Sequence, residues 1–406
     1  TKWTEKIISS NIIFFCLSFP VQKNGELDLK ELFDWVQHIV ENTKEEKILV
    51  IKSTVPVGTN QKIQNIITKK RIALISCPEF LREGRALKDL IHPQRVVIGS
   101  REAHSAKKLE ELYKKISHPQ QIIQTDPETA ELSKLVCNSF LATKISFINE
   151  MAGLCETVSA DIEKLRLILG SDTRIGVDFL TPGLGYGGYC LPKDAHLTVL
   201  EGKKRNHSME LLKSAQKVNS SLTKGFFKKI KSHYKKMNGI SLAFWGISFK
   251  KETDNLKNSP ALKLLLKLLK AGVEAHVYDP LFAKEKVFKL FQGQKYPLAK
   301  KPIKSVFSRR LSQENEMECL RQKIFAGKCY FHKSALESLN NSQGLIIGSD
   351  WEEFRRISLK EIKQRLSHPF IVDGRSLYSA KDLKRNKVSF YQKGSFFKED
   401  IHSESQ

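Results

Sequence analysis

Cys190 is the residue whose surroundings most suggest nucleophilic chemistry. It follows two glycines and a tyrosine and precedes Pro192, a residue type that favours the first turn of a helix. A thiol at the amino end of a helix, next to Lys193, has its thiolate favoured by the helix dipole and by the positive charge. Asp194 lies four residues on and would share a helix face with Cys190. The spacing alone equally fits a structural cysteine beside a solvated lysine and aspartate.

Two carboxylates four residues apart form a second candidate group. Glu79 and Glu83 could divide the duties of acid and base between them. Arg82 stands between them in the sequence, and the same pattern fits two solvated charges.

A third group lies in a segment with helical periodicity. Lys134 and Asn138 are spaced i, i+4, and Glu131 precedes Lys134 by three residues. Placed against a loop, this face would offer an ammonium and an amide to a developing oxyanion. The alternative is the ordinary polar surface of a helix.

A literal G-x-G-x-x-G occurs at Gly183, Gly185 and Gly188. A dinucleotide fingerprint needs a strand before the glycines and an acidic residue about 20 residues later. Thr181 and a proline precede this copy, so the pattern indicates a backbone turn that holds a side chain at a site.

These residues must be positioned by an alternating α/β chain. Short apolar segments predict strands over 12–17, 48–51, 72–75 and 96–99, and amphipathic segments predict helices over 29–40 and 60–67. Wholly apolar strands that alternate with helices indicate a parallel sheet covered on both faces.

A long helix and a second α/β unit follow. The 3.6-residue period persists for about eight turns after residue 127. A helix of this length joins domains or packs against a partner subunit. Further strands are predicted over 241–244, 274–278, 344–347 and 370–372, with a helix over 261–270 that starts after Ser259 and Pro260 and stops before Gly272. We therefore divide the chain into four parts: residues 1–125, 126–225, 226–395 and a disordered tail over 396–406.

Composition narrows the class of protein. Of 406 residues, 40% are hydrophobic and 28% charged, which excludes a fully disordered chain. The net charge of +24 invites anionic partners. The basic clusters of the chain lack interleaved aromatic residues, and the sequence shows no helix-turn-helix or zinc-finger pattern. We therefore expect no nucleic-acid partner.

The cysteines and the apolar segments indicate the cellular compartment in which the protein is expected. Seven cysteines without a C-x-x-C pair favour a reducing, cytoplasmic environment over a disulfide framework or a cysteine-rich zinc site. The apolar run near the amino end is interrupted by Ser9, Ser10 and Asn11 and lacks a cleavage site, which favours a strand over a targeting peptide. We expect no membrane partner and no metal.

Taken together, the segments resemble the UDP-glucose/GDP-mannose dehydrogenase family over nearly the whole chain. The motifs that carry the resemblance are KSTVPVGT at 52–59, PEFLREG at 78–84, HPQRVVIG at 92–99, ELSK at 131–134, NE at 149–150, RIG at 174–176, GYGGYCLPKD at 185–194, WGISFKK at 245–251, YDP at 278–280 and DGR at 373–375. The resemblance implies an α/β fold of two Rossmann-like, doubly wound domains joined by a long central helix: an NAD-binding domain, a central helical region for dimerisation, and a UDP-sugar-binding domain.

The resemblance also implies a reaction: oxidation of UDP-glucose to UDP-glucuronate by two molecules of NAD+ in turn. Cys190 would capture the aldehyde as a thiohemiacetal and then carry a thioester. Lys134 and Asn138 would stabilise the oxyanion. Thr54 and Asp194 would position a water that helps to remove the hydroxyl proton, and Glu79 would serve acid–base work and thioester hydrolysis.

Binding residues follow from the same resemblance. It implies substrate contacts from two loops, from the second α/β domain and from an arginine contributed across a homodimer interface. These residues are Phe80, Leu81, Arg82, Glu83, Arg174, Thr181, Gly183, Gly185, Tyr186, Gly187, Phe249, Lys250 and Arg375. For NAD it implies Thr54, Glu83, Cys190, Lys193 and Lys257.

Several departures from the family pattern shape the expectations. The opening strand, glycine turn and acidic ribose-binding residue are absent, so we expect the first domain to be truncated. Lys257 replaces an arginine, which loses bidentate geometry toward a phosphate. The alternatives are a related dehydrogenase acting on GDP-mannose or a UDP-N-acetylhexosamine, or a non-catalytic remnant that binds sugar nucleotides.

Overall fold

The computed structural model describes residues 2–22, 24–67, 71–282 and 328–397. The chain divides into two compact units. One comprises Thr1–Phe140 with Lys193–Met209, and the other Leu141–Pro192 with Glu210–Gln406.

The first unit is built on a five-stranded sheet in the order β1-β2-β3-β4-β5. Its strands are β1 Ile12–Phe15, β2 Lys47–Ile51, β3 Ile72–Ser76, β4 Val96–Ser100 and β5 Ile122–Thr125. Its first helices are α1 Lys2–Ser9, α2 Lys30–Asn42, α3 Thr59–Gln64, α4 Ala86–Ile91 and α5 Ala103–Ile116. All the strands predicted here are present, and β1 ends two residues earlier than predicted.

The prediction of a wholly parallel sheet is wrong at one pair. Strands β1, β2 and β3 run parallel, as do β4 and β5, but β3 and β4 are antiparallel. A parallel connection needs a crossover element that packs on the sheet. The only helix between β3 and β4, α4, buries none of its residues and cannot serve as one.

Both faces of this sheet are covered, as the apolar strands predicted. Every residue of β2 and β3 is buried. On one face, α2 contributes Leu32, Val36 and Ile39 to a core cluster. On the other, α5 contributes Leu109 and Tyr113. Their spacings of three and four residues place each set on one side of its helix.

Long helices follow the first sheet. They are α6 Pro127–Val158, α7 Ile162–Ser171, α8 Cys190–Lys204 and α9 Glu210–Tyr234. The α6 helix has 32 residues, which confirms the long helix expected from the period.

The second unit contains a seven-stranded sheet in the order β12-β11-β10-β9-β6-β7-β8. Its strands are β6 Ser241–Trp245, β7 Glu274–Tyr278, β8 Cys329–Phe331, β9 Leu345–Ile347, β10 Phe370–Asp373, β11 Ser389–Gln392 and β12 Ser395–Phe397. The helices that alternate with these strands are α10 Pro260–Lys270, α11 Ala335–Leu339, α12 Glu352–Arg355, α13 Leu359–Arg365 and α14 Ala380–Arg385. All pairs are parallel except the closing hairpin of β11 and β12.

The four strands predicted for this unit are present, and β8, β11 and β12 were not predicted. The expected tail over 396–406 is wrong at its start, because residues 396 and 397 belong to β12. The rest of the tail lies outside the described residues, as does nearly all of the polar stretch over 295–328.

Helix α10 has the ends that its sequence predicts. The Ser259 hydroxyl accepts the N–H of Leu262 at 3.2 Å, Pro260 is the first helical residue, and Gly272 beyond the end has φ +90°. Its leucines fill the core between the helix and the sheet.

Candidate active site

Thr54 lies in a loop that the first sheet holds at its carboxyl edge. The loop leaves the end of β2, and its preceding residue, Ser53, bonds back to the segment after β1. The Ser53 hydroxyl accepts the Leu17 N–H at 2.7 Å and donates to the Leu17 carbonyl at 2.8 Å. The carboxyl edge of parallel strands is where open α/β sheets bind their ligands. Thr54 therefore lies at the edge of the sheet where such folds bind their ligands.

Lys134 is a buried cation paired with one of the predicted carboxylates. Its side chain is 4% exposed, and its Nζ lies 3.2 Å from Oε1 of Glu79. The ring of Phe80 lies 5.5 Å from the same ammonium, and the Arg95 guanidinium lies over that ring at 4.1 Å. A buried ammonium next to one carboxylate is suited to stabilise a developing negative charge.

Asn138 lies one turn after Lys134 and bonds to a second carboxylate. Its Nδ2 donates to Oδ2 of Asp194 at 2.5 Å. Asp194 is fully buried, and Lys193 Nζ lies 2.7 Å from its Oδ1. At that distance the ammonium and the carboxylate form a close ion pair, so Lys193 neutralises the buried charge of Asp194. The carboxylate of Asp194 is therefore held by an amide on one oxygen and by an ammonium on the other.

The two glutamates of the segment over 78–84 lie in different surroundings, and Glu79 is the one that pairs with Lys134. Glu83 and Arg82 are exposed. Arg82 bonds Asp89, with 2.9 Å from Nε to Oδ2 and 2.6 Å from Nη2 to Oδ1, and these bonds lower the pKa of Asp89. The sequence analysis missed Asp89, which lies seven residues from Arg82.

Cys190 is the first residue of α8, as the sequence predicted. The residue is exposed, whereas Cys77, Cys155 and Cys329 are buried. An exposed sulfur at a helix amino end is placed to react, while a buried structural cysteine is inert.

The glycine loop before Cys190 is a close-packed turn with no strand before it, so it is not a dinucleotide fingerprint. The Gly183 N–H donates to Oδ1 of Asn149 at 2.9 Å, and a Cβ at this position would lie 2.2 Å from the Gly374 carbonyl oxygen. Gly185 has φ +93°. The glycines are therefore needed for close approach and for the turn.

Two side chains hold this loop. Asn219 of α9 accepts the Tyr186 N–H at 2.9 Å and donates to the Tyr186 carbonyl at 3.1 Å. The Arg375 guanidinium donates to the carbonyls of Gly185 at 3.2 Å, Phe249 at 2.8 Å and Gly348 at 2.8 Å. Arg375 thus links the glycine loop to the turns that follow β6 and β9.

The remaining predicted residues lie in different surroundings. Lys257 Nζ lies 3.8 Å from the centre of the Tyr189 ring, next to Cys190 in sequence. Lys250 lies over the Phe249 ring at 5.7 Å. Arg174 is 88% exposed and bonds Asp172.

Sequence reasoning assigned no role to two residues that position the second-unit loop, Asn149 and Asn219. Each is a polar residue within a helix, and its partner lies more than 30 residues away. No local spacing signals such a contact. Among the residues that the structure describes, no cluster of histidine, cysteine and carboxylate side chains could hold a metal ion. In the same ranges no helix is long and apolar enough to cross a membrane.

Three domains of one known protein family match most of the chain. The NAD-binding domain of the UDP-glucose/GDP-mannose dehydrogenase family matches residues 1–117, its central domain 128–221 and its UDP-binding domain 243–380. The chain belongs to this family. It is therefore an NAD-dependent oxidoreductase with a nucleotide-sugar substrate. The match from residue 1 does not support the expected truncation of the first domain.

Individual relatives agree with this family membership. The chain is 33% identical over 399 residues to a UDP-glucose 6-dehydrogenase of Bacillus subtilis (strain 168), covering 97% of this chain and 82% of the relative. It is 31% identical to a UDP-glucose 6-dehydrogenase of Pseudomonas aeruginosa (strain PAO1), with coverages of 92% and 78%. A UDP-glucose dehydrogenase structure from Pyrobaculum islandicum shares the fold with a TM-score of 0.75 at 24% identity, covering 93% of this chain and 79% of that one.

Proposed function

We propose that this family member oxidises UDP-glucose to UDP-glucuronate through a covalent intermediate on Cys190. The observation that carries the proposal is the face of α6, where a buried ammonium and an amide one turn apart each pair with a buried or half-buried carboxylate: Lys134 with Glu79, and Asn138 with Asp194. The names of the relatives favour UDP-glucose as the substrate.

The first half of the proposed reaction converts the primary alcohol of the glucose to an aldehyde. Asp194 and the Thr54 hydroxyl hold the water that takes the hydroxyl proton as it gives one of its own protons to the Asp194 carboxylate. NAD, when bound, accepts the hydride that leaves the same carbon. Lys134 and Asn138 stabilise the alkoxide as its charge develops.

The second half converts the aldehyde to the acid. The Cys190 thiolate adds to the aldehyde carbon and forms a carbon–sulfur bond, giving a thiohemiacetal whose oxyanion Lys134 stabilises. Loss of a second hydride from the same carbon leaves a thioester on Cys190. Glu79 takes a proton from the attacking water, the carbon–sulfur bond breaks, and UDP-glucuronate and the free thiolate result. Two hydrides account for the four electrons removed.

Substrate binding and assembly complete the proposal. The nucleotide sugar is held by the loop over 181–187, by Phe80 to Glu83 and by the region of Phe249, Lys250 and Arg375. The protein forms a homodimer through the long helix, with Arg174 contributed across the interface. Exposed apolar side chains on α6 support this assembly: Phe147, Leu154 and Val158 are 47%, 55% and 62% exposed.

The test is a substrate screen with the full chain. NADH production is measured with UDP-glucose, GDP-mannose and UDP-N-acetylglucosamine, and the sugar product is identified by mass spectrometry. We expect UDP-glucose to give two NADH for each UDP-glucuronate formed. A clear preference for another nucleotide sugar, or one NADH for each product, would contradict the proposal.

A further inference from the structure

Glu131 is a buried carboxylate of the first unit that the proposed reaction does not use. It lies on α6 one turn before Lys134 and is 3% exposed. Its Oε2 accepts the Gly58 N–H at 2.7 Å, and its Oε1 accepts the Asn60 N–H at 2.7 Å. Both carboxylate oxygens therefore bond the backbone of the segment that follows Thr54.

The segment needs such a partner because its own side chains do not supply one. Gly58 has φ +90° and occupies the capping position before α3. Glycine has no side chain there that could accept a hydrogen bond from the first N–H groups of the helix. The first N–H groups of a helix have no partner within it. Glu131 satisfies two of these backbone donors from more than 70 residues away.

A third contact closes the network. The Ser76 hydroxyl, at the end of β3, donates a hydrogen bond to Oε1 of Glu131 at 3.4 Å. The same hydroxyl accepts a hydrogen bond from Nδ2 of Asn60 at 3.1 Å. The carboxylate is thereby bonded to both β3 and α3.

Glu131 also lines a cavity shared by two residues of the proposed reaction. Thr54 and Lys134 line the same cavity, whose volume of about 10 Å³ is room for one water. The remaining lining residues are Ile51, Ser53, Val55, Ser76 and Pro78. A shift of the loop relative to α6 would change the separation of the Thr54 hydroxyl from the Lys134 ammonium.

The chemistry of the position also points to a role other than filling space. Burial raises the pKa of Glu131 to about 7, although the N–H groups of Asn60 and Gly58 oppose that rise. Keeping an ionisable carboxyl group in a buried position costs free energy that an apolar residue would not impose.

We propose that Glu131 is a positioning residue, which ties the loop of Thr54 to the helix of Lys134 and so fixes these two groups across the cavity. The roles of Thr54 and Lys134 rest on the proposed function. The tie itself rests on the contacts of Glu131 alone.

The kinetic test compares three variants of the full chain. Glu131→Ala removes both oxygens that accept the N–H groups of Gly58 and Asn60. Glu131→Gln keeps the shape of the side chain, but its amide nitrogen cannot accept a hydrogen bond from one of these two N–H groups. The matched control is Glu128→Gln, one turn earlier on α6, where the side chain pairs with Arg101 at the surface. We expect kcat with UDP-glucose to fall about 100-fold in Glu131→Ala and about 10-fold in Glu131→Gln, with KM within about 3-fold of wild type. The control should keep both constants.

A second measurement does not depend on the substrate. Hydrogen–deuterium exchange, read by mass spectrometry, should be faster for the peptide over 53–64 in both Glu131 variants and unchanged in the control. Unchanged exchange overturns the proposal, and so does faster exchange with an unchanged kcat. A wild-type protein that does not oxidise UDP-glucose would instead defeat the proposed function, and exchange alone would then decide whether Glu131 holds the loop.

Discussion

Asn138 and Asp194 lie 56 positions apart in the chain, yet Nδ2 of Asn138 donates to Oδ2 of Asp194 at 2.5 Å. The bond occupies one carboxylate oxygen and fixes the plane of the group. Lys193 Nζ lies 2.7 Å from the other oxygen, Oδ1, and balances the charge of the carboxylate. Asp194 is thus held by an amide on one oxygen and by an ammonium on the other.

Asp194→Asn should lower kcat by about 100-fold, the scale on which a positioned base contributes. The substitution keeps the shape of the side chain but removes its charge and leaves the Lys193 ammonium without a counter-ion. We expect KM for UDP-glucose to change less than kcat, because Asp194 acts on the proton and not on the nucleotide. Steady-state kinetics measure both constants. Asp34→Asn, at the surface of α2, is the control. Wild-type kcat in Asp194→Asn would exclude a role for the carboxylate.

Cys190→Ser should abolish formation of UDP-glucuronate and keep binding of UDP-glucose within about 3-fold of wild type, since the thiol reacts only after the substrate has bound. Product analysis and calorimetric titration measure the two effects. Cys16→Ser replaces another exposed thiol and should retain turnover. Near-normal glucuronate production by the Cys190 variant would remove this residue from the mechanism.

Local features of the sequence predict much of this fold. Ser259, Pro260 and Gly272 mark the ends of α10 because capping and φ preferences act within a few residues. The long period predicts α6, and Pro192 correctly places the thiol at the start of a helix.

Features that depend on distant partners were not predictable in the same way. Nothing in the sequence of β3 or β4 states that they pair antiparallel, because strand direction depends on how the connection packs. Likewise, the i−3 spacing of Glu131 to Lys134 suggests a shared polar helix face, whereas the carboxylate bonds the backbone of Gly58 and Asn60. Such contacts become visible only when the chain is folded.

Gly183→Ala should destabilise the loop before Cys190. The added Cβ would lie 2.2 Å from the Gly374 carbonyl oxygen, a backbone atom that cannot rotate away. We expect a lower melting temperature and a raised KM for UDP-glucose. Gly225→Ala is the matched control, because that helical glycine has open space around it and alanine favours the helix by about 0.5–1 kcal/mol. A stable Gly183→Ala protein with normal KM would show that the loop adapts.

Leu154→Glu tests the proposed homodimer. Leu154 is 55% exposed, seven residues after Phe147 and four before Val158 on α6, so the three lie along one side of the helix. A carboxylate in the centre of an apolar interface should convert the dimer to a monomer in sedimentation velocity experiments. Lys228→Glu, exposed on α9, also adds negative charge but lies outside this set, and it should stay dimeric. A monomeric wild type would contradict the assembly itself.

Glu156→Gln should lower the free energy of unfolding at neutral pH. The carboxylate of Glu156 accepts the Gly394 N–H at 3.0 Å and the Tyr391 hydroxyl at 3.2 Å. It also pairs with Lys393 at 3.4 Å and Lys229 at 3.3 Å. Glutamine cannot balance the two ammonium groups, so we expect a loss of about 1–3 kcal/mol by urea denaturation. Glu163→Gln, which breaks only an i, i+3 pair with Arg166, should lose well under 1 kcal/mol, about the value of a surface pair.

The loss in Glu156→Gln should depend on pH in a defined direction. Burial raises the pKa of Glu156, but the Gly394 N–H, Lys393 and Lys229 outweigh it, and the net pKa lies below the ordinary value of 4.5. A carboxyl group whose pKa is lower in the folded than in the unfolded state contributes stability that is fully present above the unfolded pKa. That stability is lost as the pH falls through the folded pKa. The difference between wild type and Glu156→Gln should therefore be constant from pH 7 to about 5.5 and shrink below about pH 4.5. A difference that stays constant to pH 3 would show that the charge of Glu156 does not stabilise the fold.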